Sequence, residues 1–249
     1  MNSKNSLVLG QGIFLIIIIL SLGLIVMNEK GGEIFKGKIS EKLNSYLETN
    51  YSNLKIAKEE IQYNNKEFTQ KITSSTNKNL YFYITYKNKE IIDTYKEDYE
   101  EGNSLLTYLN KKLEEEIKKR TNIECKVHSI NKLNEYSEKV QERLMKEDNL
   151  LELKYYYVEK EFTIKEWTKE NITEEISKFL KEMQDENITP KYYEIIITKE
   201  DEITTSIRIS NLTESFLELE EKEEIIQNIL EDKNSNLLKE NKISYEYEN

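Results

Sequence analysis

From Asn5 to Asn28 the chain carries no charged residue, and the centre of this stretch reads Ile13, Phe14, Leu15, Ile16, Ile17, Ile18, Ile19, Leu20. At 1.5 Å per residue, the segment from Leu7 to Met27 reaches about 31 Å as a helix, which matches a hydrocarbon core of about 30 Å. A secretory signal peptide would also begin with a positive residue, here Lys4, but its apolar run is usually about 7 to 15 residues. No small-x-small cleavage pattern follows Met27, and no cysteine lies nearby to carry a lipid. The reading is an uncleaved, single-pass signal-anchor: a tail at 1–6, a transmembrane helix at 7–27 with the lipid bilayer as its partner, and a water-soluble remainder.

Orientation pulls two ways. Lys30, Lys36, Lys38 and Lys42 outnumber Lys4 and the terminal amine, which by the positive-inside rule holds the soluble part in the cytoplasm. Against this, so short a tail commonly stays inside while a large domain is exported. The expectation adopted is a cell-membrane protein whose domain is extracytoplasmic.

The remainder has enough apolar area to fold. Charged residues make up 33% of the chain, a share that suggests disorder, yet 17 Tyr, 7 Phe and many Ile supply the area that disordered chains lack. With only seven Gly and a single Pro, long irregular loops should be few. A net charge of −11 argues against nucleic acid, whose binding is driven by Lys and Arg displacing counterions, and makes anionic headgroups repel the domain as a whole. The lone cysteine, Cys125, forms no internal disulfide.

Hydrophobic periodicity gives an α+β order: antiparallel sheet packed with amphipathic helices. After a linker at 28–38 containing Gly31-Gly32, a helix carries Ile39, Leu43, Tyr46 and Leu47, with Ser40 as N-cap. Strands are expected at Leu54–Tyr63, Phe68–Ser74, Leu80–Tyr86 and Glu90–Tyr95, joined by the polar turns Asn77-Lys78-Asn79 and Lys87-Asn88-Lys89. Next comes a helix with Leu105, Leu109, Leu113 and Ile117 in one stripe, expected to pack on the sheet face bearing Phe82 and Ile84. These elements define a first α+β domain at 39–121. A second, at 122–234, holds a strand at Ile123–Ile130, a helix with Leu133, Tyr136, Val140 and Leu144, a strand at Leu151–Ile164, strands at Tyr192–Thr198 and Ile203–Ile209, and a helix with Leu219, Ile225, Ile226, Ile229 and Leu230. The stretch 172–180 parallels 39–47 position by position, which raises a duplication. Residues 235–249 read as a loose tail in which Ile243, Tyr245 and Tyr247 offer an edge strand.

No chemistry-bearing constellation survives inspection, so no catalytic, cofactor-binding or metal residue is assigned. Cys125 and His128 form a Cys-x-x-His spacing, but on a strand residues three apart face opposite sides, and no second histidine exists for a zinc site or a triad. The acidic runs Glu97 to Glu101 and Glu218 to Glu224 lack the spacing of a calcium loop. Nucleotide-binding loops and nucleophile elbows are absent. The glycosylation-type patterns at Asn50, Asn171, Asn187 and Asn211 arise by chance in an Asn-rich chain. Tyr81-Phe82-Tyr83 and Tyr155-Tyr156-Tyr157 place aromatics on both strand faces, so an aromatic outer face is open to a peptide, a glycan or a partner sheet.

The stretch Ile39 to Lys119, notably Tyr46-Leu47, Leu80-Tyr81-Phe82-Tyr83 and Ile91-Ile92-Asp93-Thr94-Tyr95, resembles extracytoplasmic single-pass proteins of low-GC Gram-positive bacteria, the YfjL-like group and PepSY- or cystatin-like domains. The resemblance is architectural and implies an α+β domain outside the membrane, with no activity or site residue to carry over. The functional expectation is a membrane-anchored, non-enzymatic binding or sensing module, with room for a protein partner and no cofactor. A carboxylate-based hydrolase and a structural subunit of a membrane assembly are the alternatives.

Overall fold

The computed structural model describes residues 35–200, 202–220, 222–231, 236–238 and 243–248. Among them no helix is long and apolar enough to cross a membrane; the expected anchor at 7–27, its tail and most of its linker lie outside them. The described chain is α+β, with one antiparallel and one mixed sheet, and divides into two compact units between Lys96 and Glu97.

The first unit is a helix on a meander. Residues 35–50 form α1, which buries Ile39, Leu43 and Leu47, spaced four apart along one stripe. The linker expected to reach residue 38 is therefore already helical from residue 35, and Ser40 is a helix-interior residue, not a cap; its Oγ accepts from Asn44 Nδ2 at 3.5 Å. The strands are β1 (Ile56–Lys58), β2 (Gln62–Asn64), β3 (Glu67–Ser74), β4 (Tyr81–Lys87) and β5 (Glu90–Asp93). The single strand expected at 54–63 is broken into β1 and β2, which pair in succession along the same edge of β3. Two-residue links at Asn65-Lys66 and Asn88-Lys89 have positive φ at both positions, the backbone that a type I′ hairpin requires. Phe82 and Ile84 are fully buried.

Asp93 ties α1 to the sheet. Its Oδ2 accepts from the Tyr46 and Tyr51 hydroxyls, the latter at 2.8 Å, and its Oδ1 from the Tyr95 amide at 3.0 Å. Tyr51 also meets Phe82 edge-on at 5.2 Å. It is α1, therefore, that covers the face bearing Phe82 and Ile84.

The second unit holds α2 (Asn103–Thr121), β6 (Lys126–Ser129), α3 (Glu138–Lys146), β7 (Tyr156–Ile164), α4 (Lys169–Asp185), β8 (Tyr193–Lys199), β9 (Glu202–Leu212), α5 (Lys222–Glu231), β10 (Asn236–Leu238) and β11 (Ile243–Glu248). The expected boundary at 121/122 is corrected here: α2 groups with the second unit and lies beside β6. There Glu114 accepts the Val127 amide at 2.9 Å and Asn110 meets Ser129 Oγ at 3.1 Å, so α2 satisfies a strand edge that would otherwise invite pairing with another chain.

The sheet order is β10-β11-β9-β8-β7-β6. Among the described strands only β7 and β8 run parallel, joined by the crossover helix α4, whose N-cap Thr168 accepts from the Asn171 amide at 3.2 Å. Ile172, Ile176, Phe179, Leu180 and Met183 of α4 are buried, and the Phe179 ring packs edge-on to Phe162 at 5.9 Å and Tyr193 at 5.5 Å. Within the stretch expected as a loose tail, the described residues 236–238 and 243–248 are strands, and β11 lies between β9 and β10 in the sheet order. Strand β6 begins at Lys126, and β7 begins at Tyr156 after a 3₁₀ turn at Leu150–Glu152, both later than expected.

Helices α1 and α4 match in their buried positions, Ile39 with Ile172, Leu43 with Ile176 and Leu47 with Leu180. Their continuations differ. Helix α1 leads into an all-antiparallel meander, while α4 returns a strand parallel to its predecessor.

Burial of phenols makes the fold sensitive to alkali. Tyr155, Tyr156 and Tyr193 are raised above the ordinary tyrosine value of 10.0 chiefly by desolvation, and so are Tyr46 and Tyr51, with Asp93 adding to it. A folded-state pKa above the unfolded one gives stability that is complete below about pH 10 and lost as pH rises further, by up to about 1.4 kcal/mol per pH unit for each of Tyr155, Tyr156 and Tyr193 and by much less for Tyr46 and Tyr51, which water screens. These five phenols are expected to ionise together with loss of near-ultraviolet circular dichroism. Ionisation of Tyr155, Tyr156 and Tyr193 with the dichroism intact would refute their burial.

Candidate functional site

Cys125 and His128 part as their spacing requires. The Cys125 thiol is half-buried near Glu114 and Tyr156, and desolvation, then the Glu114 charge, pushes its pKa from 9.0 up to about 12. His128 turns to the other face of β6 and stacks on Tyr157 at 4.9 Å. With so little thiolate, Cys125 is expected to react about 10³-fold more slowly than an unfolded cysteine with a thiol reagent at pH 8. An equal rate would place the thiol in solvent.

The outward face of the second sheet is polar and internally matched. His128, Tyr157 and Tyr192 stack in a row across β6, β7 and the start of β8, with ring centroids 4.9 Å apart at each step. Beside them Glu159 meets Lys126 at 2.9 Å, His128 at 3.5 Å and Arg208 at 3.7 Å, and Arg208 also pairs with the buried Glu194. Each charge has an opposite neighbour, an arrangement that fixes strand register. No local sequence signal marks it, because its members come from four strands.

The outward face of the first sheet is different. Alternation along β4 turns Tyr81 and Tyr83 away from α1; cross-strand register sets Lys71 opposite Tyr83, Thr73 opposite Tyr81 and Ile92 opposite Thr85. Tyr83 is 37% and Ile92 55% exposed. The two tyrosine rings meet edge-on at 5.5 Å, and Lys71 Nζ lies 4.2 Å over the Tyr81 ring while pairing with Glu59 at 3.3 Å. Thr69 and Thr85 share a hydrogen bond at 3.1 Å. The result is an aromatic, hydroxyl-rich surface whose lysines are neutralised within it, Lys71 by Glu59 and Lys87 by Glu67. Of the two Tyr-rich stretches, 155–157 contributes little of this kind, since Tyr155 and Tyr156 are buried.

The acidic runs stay dispersed. Glu101 pairs with Lys132 at 2.8 Å; Glu220, Glu223 and Glu224 line a surface recess with Lys169 and Lys222. Among the described residues no three His, Cys, Asp or Glu side chains are placed to hold a metal ion. A second recess, of about 560 Å³ beside Cys125, interleaves Glu114, Glu124 and Glu159 with Lys118, Lys126 and Lys160. Glu60, Glu116, Glu124 and Glu142 are all held below the ordinary carboxylate value by a hydrogen-bonded Lys or Arg, the reverse of what a general acid needs.

No family model matches the chain, and neither a curated protein nor a solved structure does.

Proposed function

We propose that this chain is a non-enzymatic binding or sensing module, tethered to the cell membrane through residues 7–27 with its folded part outside, and that its ligand lies on the outward face of the first sheet. The observation that carries this reading is the open side of β4 and β5, where Tyr83 and Ile92 are exposed beside Tyr81. Aromatic rings presented with hydroxyls and no net charge suit an uncharged glycan or an extended peptide, since a tyrosine offers a broad apolar face and a polar tip at small entropic cost. The helix-and-meander order supports the extracytoplasmic kind of domain that the sequence resemblance implies.

Two measurements test it. An impermeant thiol reagent applied to intact cells should label a cysteine placed at the exposed Glu223; labelling only after lysis overturns the outward orientation. Hydrogen exchange of the full chain, with and without soluble cell-wall fragments and a peptide library, should show protection confined to β3, β4 and β5. The double variant Tyr81→Ser/Tyr83→Ser should remove that protection; a variant that kept it would place the ligand elsewhere.

A further inference from the structure

We propose that the end of the first unit nearest the expected anchor is a contact surface for anionic lipid headgroups of the membrane that carries that anchor; the inference rests on the anchored-module reading.

The direction of α1 locates this end. Lys42 Nζ lies 3.3 Å from the Tyr86 hydroxyl, Tyr46 bonds Asp93, which is paired with Ile84, and Tyr51 meets Phe82. These partners step along β4 from Tyr86 to Phe82, so the first turn of α1 lies where the sheet ends in the turns Asn65-Lys66 and Asn88-Lys89. Phe35, on that first turn, is 57% exposed, and Tyr63, beside the Asn65-Lys66 turn, 38%.

The charge here departs from that of the chain. Lys36 and Lys87 are taken up by Glu60 and Glu67. Lys38, Lys66 and Lys89 have no ion pair among the described residues, and Lys42 rests on the Tyr86 ring at 5.0 Å. Among the described residues Glu41 and Glu90 stand against these four cations, so this end is net positive on a chain of charge −11. Repulsion of the domain as a whole by anionic lipid thus does not extend to this end, because charges more than about 8 Å away are largely screened at physiological salt.

Chain length fixes which partner meets it. Between Met27 and Phe35 only residues 28–34 intervene, and at no more than about 3.5 Å per residue they hold Phe35 within about 28 Å of the spanning segment. A surface lysine at an anionic membrane is worth about 1 kcal/mol, or about fivefold each, and exposed aromatic rings favour the headgroup level. A cationic, aromatic end on so short a tether suits the bilayer rather than a soluble partner.

The test uses the full chain with Cys125→Ser, reconstituted in vesicles whose lipid headgroups carry a nitroxide quencher. One fluorophore is placed at Asn64→Cys, beside the Asn65-Lys66 turn, or at Ser75→Cys, in the turn between β3 and β4 at the opposite end. In vesicles containing phosphatidylglycerol the label at 64 should be quenched several-fold more than the label at 75. That difference should vanish in about 0.5 M salt, in purely zwitterionic vesicles, and in the triple variant Lys38→Glu/Lys66→Glu/Lys89→Glu. Equal quenching at both positions, or quenching at 64 that ignores salt and the triple variant, overturns the contact. Flotation separates the premises: a chain that fails to float with vesicles in high salt has no anchor, and both readings fall. One that floats with an unquenched label at 64 overturns the lipid contact alone.

Discussion

Leu109→Ala is expected to destabilise the protein by about 2 to 5 kcal/mol, whereas Lys112→Ala, one turn away on the same helix, should cost well under about 1 kcal/mol. Leu109 has no solvent exposure and belongs to the stripe Leu105, Leu109, Leu113 and Ile117, all buried. Truncation loses the transfer energy of the removed carbons and leaves a cavity that a close-packed interior fills only in part. Lys112 lies about 60° round α2 from Leu109, on the exposed flank of the buried stripe, where it pairs with Glu147; their side chains are 47% and 25% exposed, and an ion pair of that kind gains little over hydration. Urea denaturation of the full chain in detergent would measure both. Equal shifts of the two midpoints would mean that the stripe does not face the core.

That stripe shows what the sequence discloses and what it withholds. Spacing of 3.6 identifies the buried side of α2 but is silent on its partner, because Leu at four-residue intervals suits any apolar surface. The partner turned out to lie in the second unit, where the contact is marked only by Glu114 and Asn110 reaching the backbone and side chain of β6. Strand direction was hidden for the same reason. Alternation along β7 and β8 would read identically in an antiparallel pair, and only the crossover through α4 makes them parallel. Turn chemistry was legible where it is local: Asn88-Lys89 forms the hairpin that its polar residues announce. The row His128, Tyr157, Tyr192 and the Glu159, Glu194, Arg208 cluster were not legible, since each strand contributes one or two residues and the grouping exists only across the sheet.

The two glycines Gly37 and Gly102 should respond to alanine with opposite sign. Gly102 ends the turn before α2 at φ 75°, a left-handed backbone that costs an alanine about 1 to 2 kcal/mol. A Cβ there would also lie 2.3 Å from Leu133 Cβ and 2.7 Å from its Cδ2. Leu133 cannot retreat easily: it is buried, and its amide donates to the Glu101 carbonyl at 2.7 Å, so the closest clash falls on a Cβ whose position the held backbone fixes and not only on a mobile side-chain end. Overpacking of this kind costs about 1 to 3 kcal/mol, bringing Gly102→Ala to about 2 to 5 kcal/mol. Gly37 lies within α1 with nothing inside 4 Å of an added Cβ, so Gly37→Ala should instead stabilise by about 0.5 to 1 kcal/mol through helix propensity. Denaturation midpoints that moved in the same direction for both would show that Leu133 does not press on the start of α2, or that α1 does not yet run as helix at residue 37.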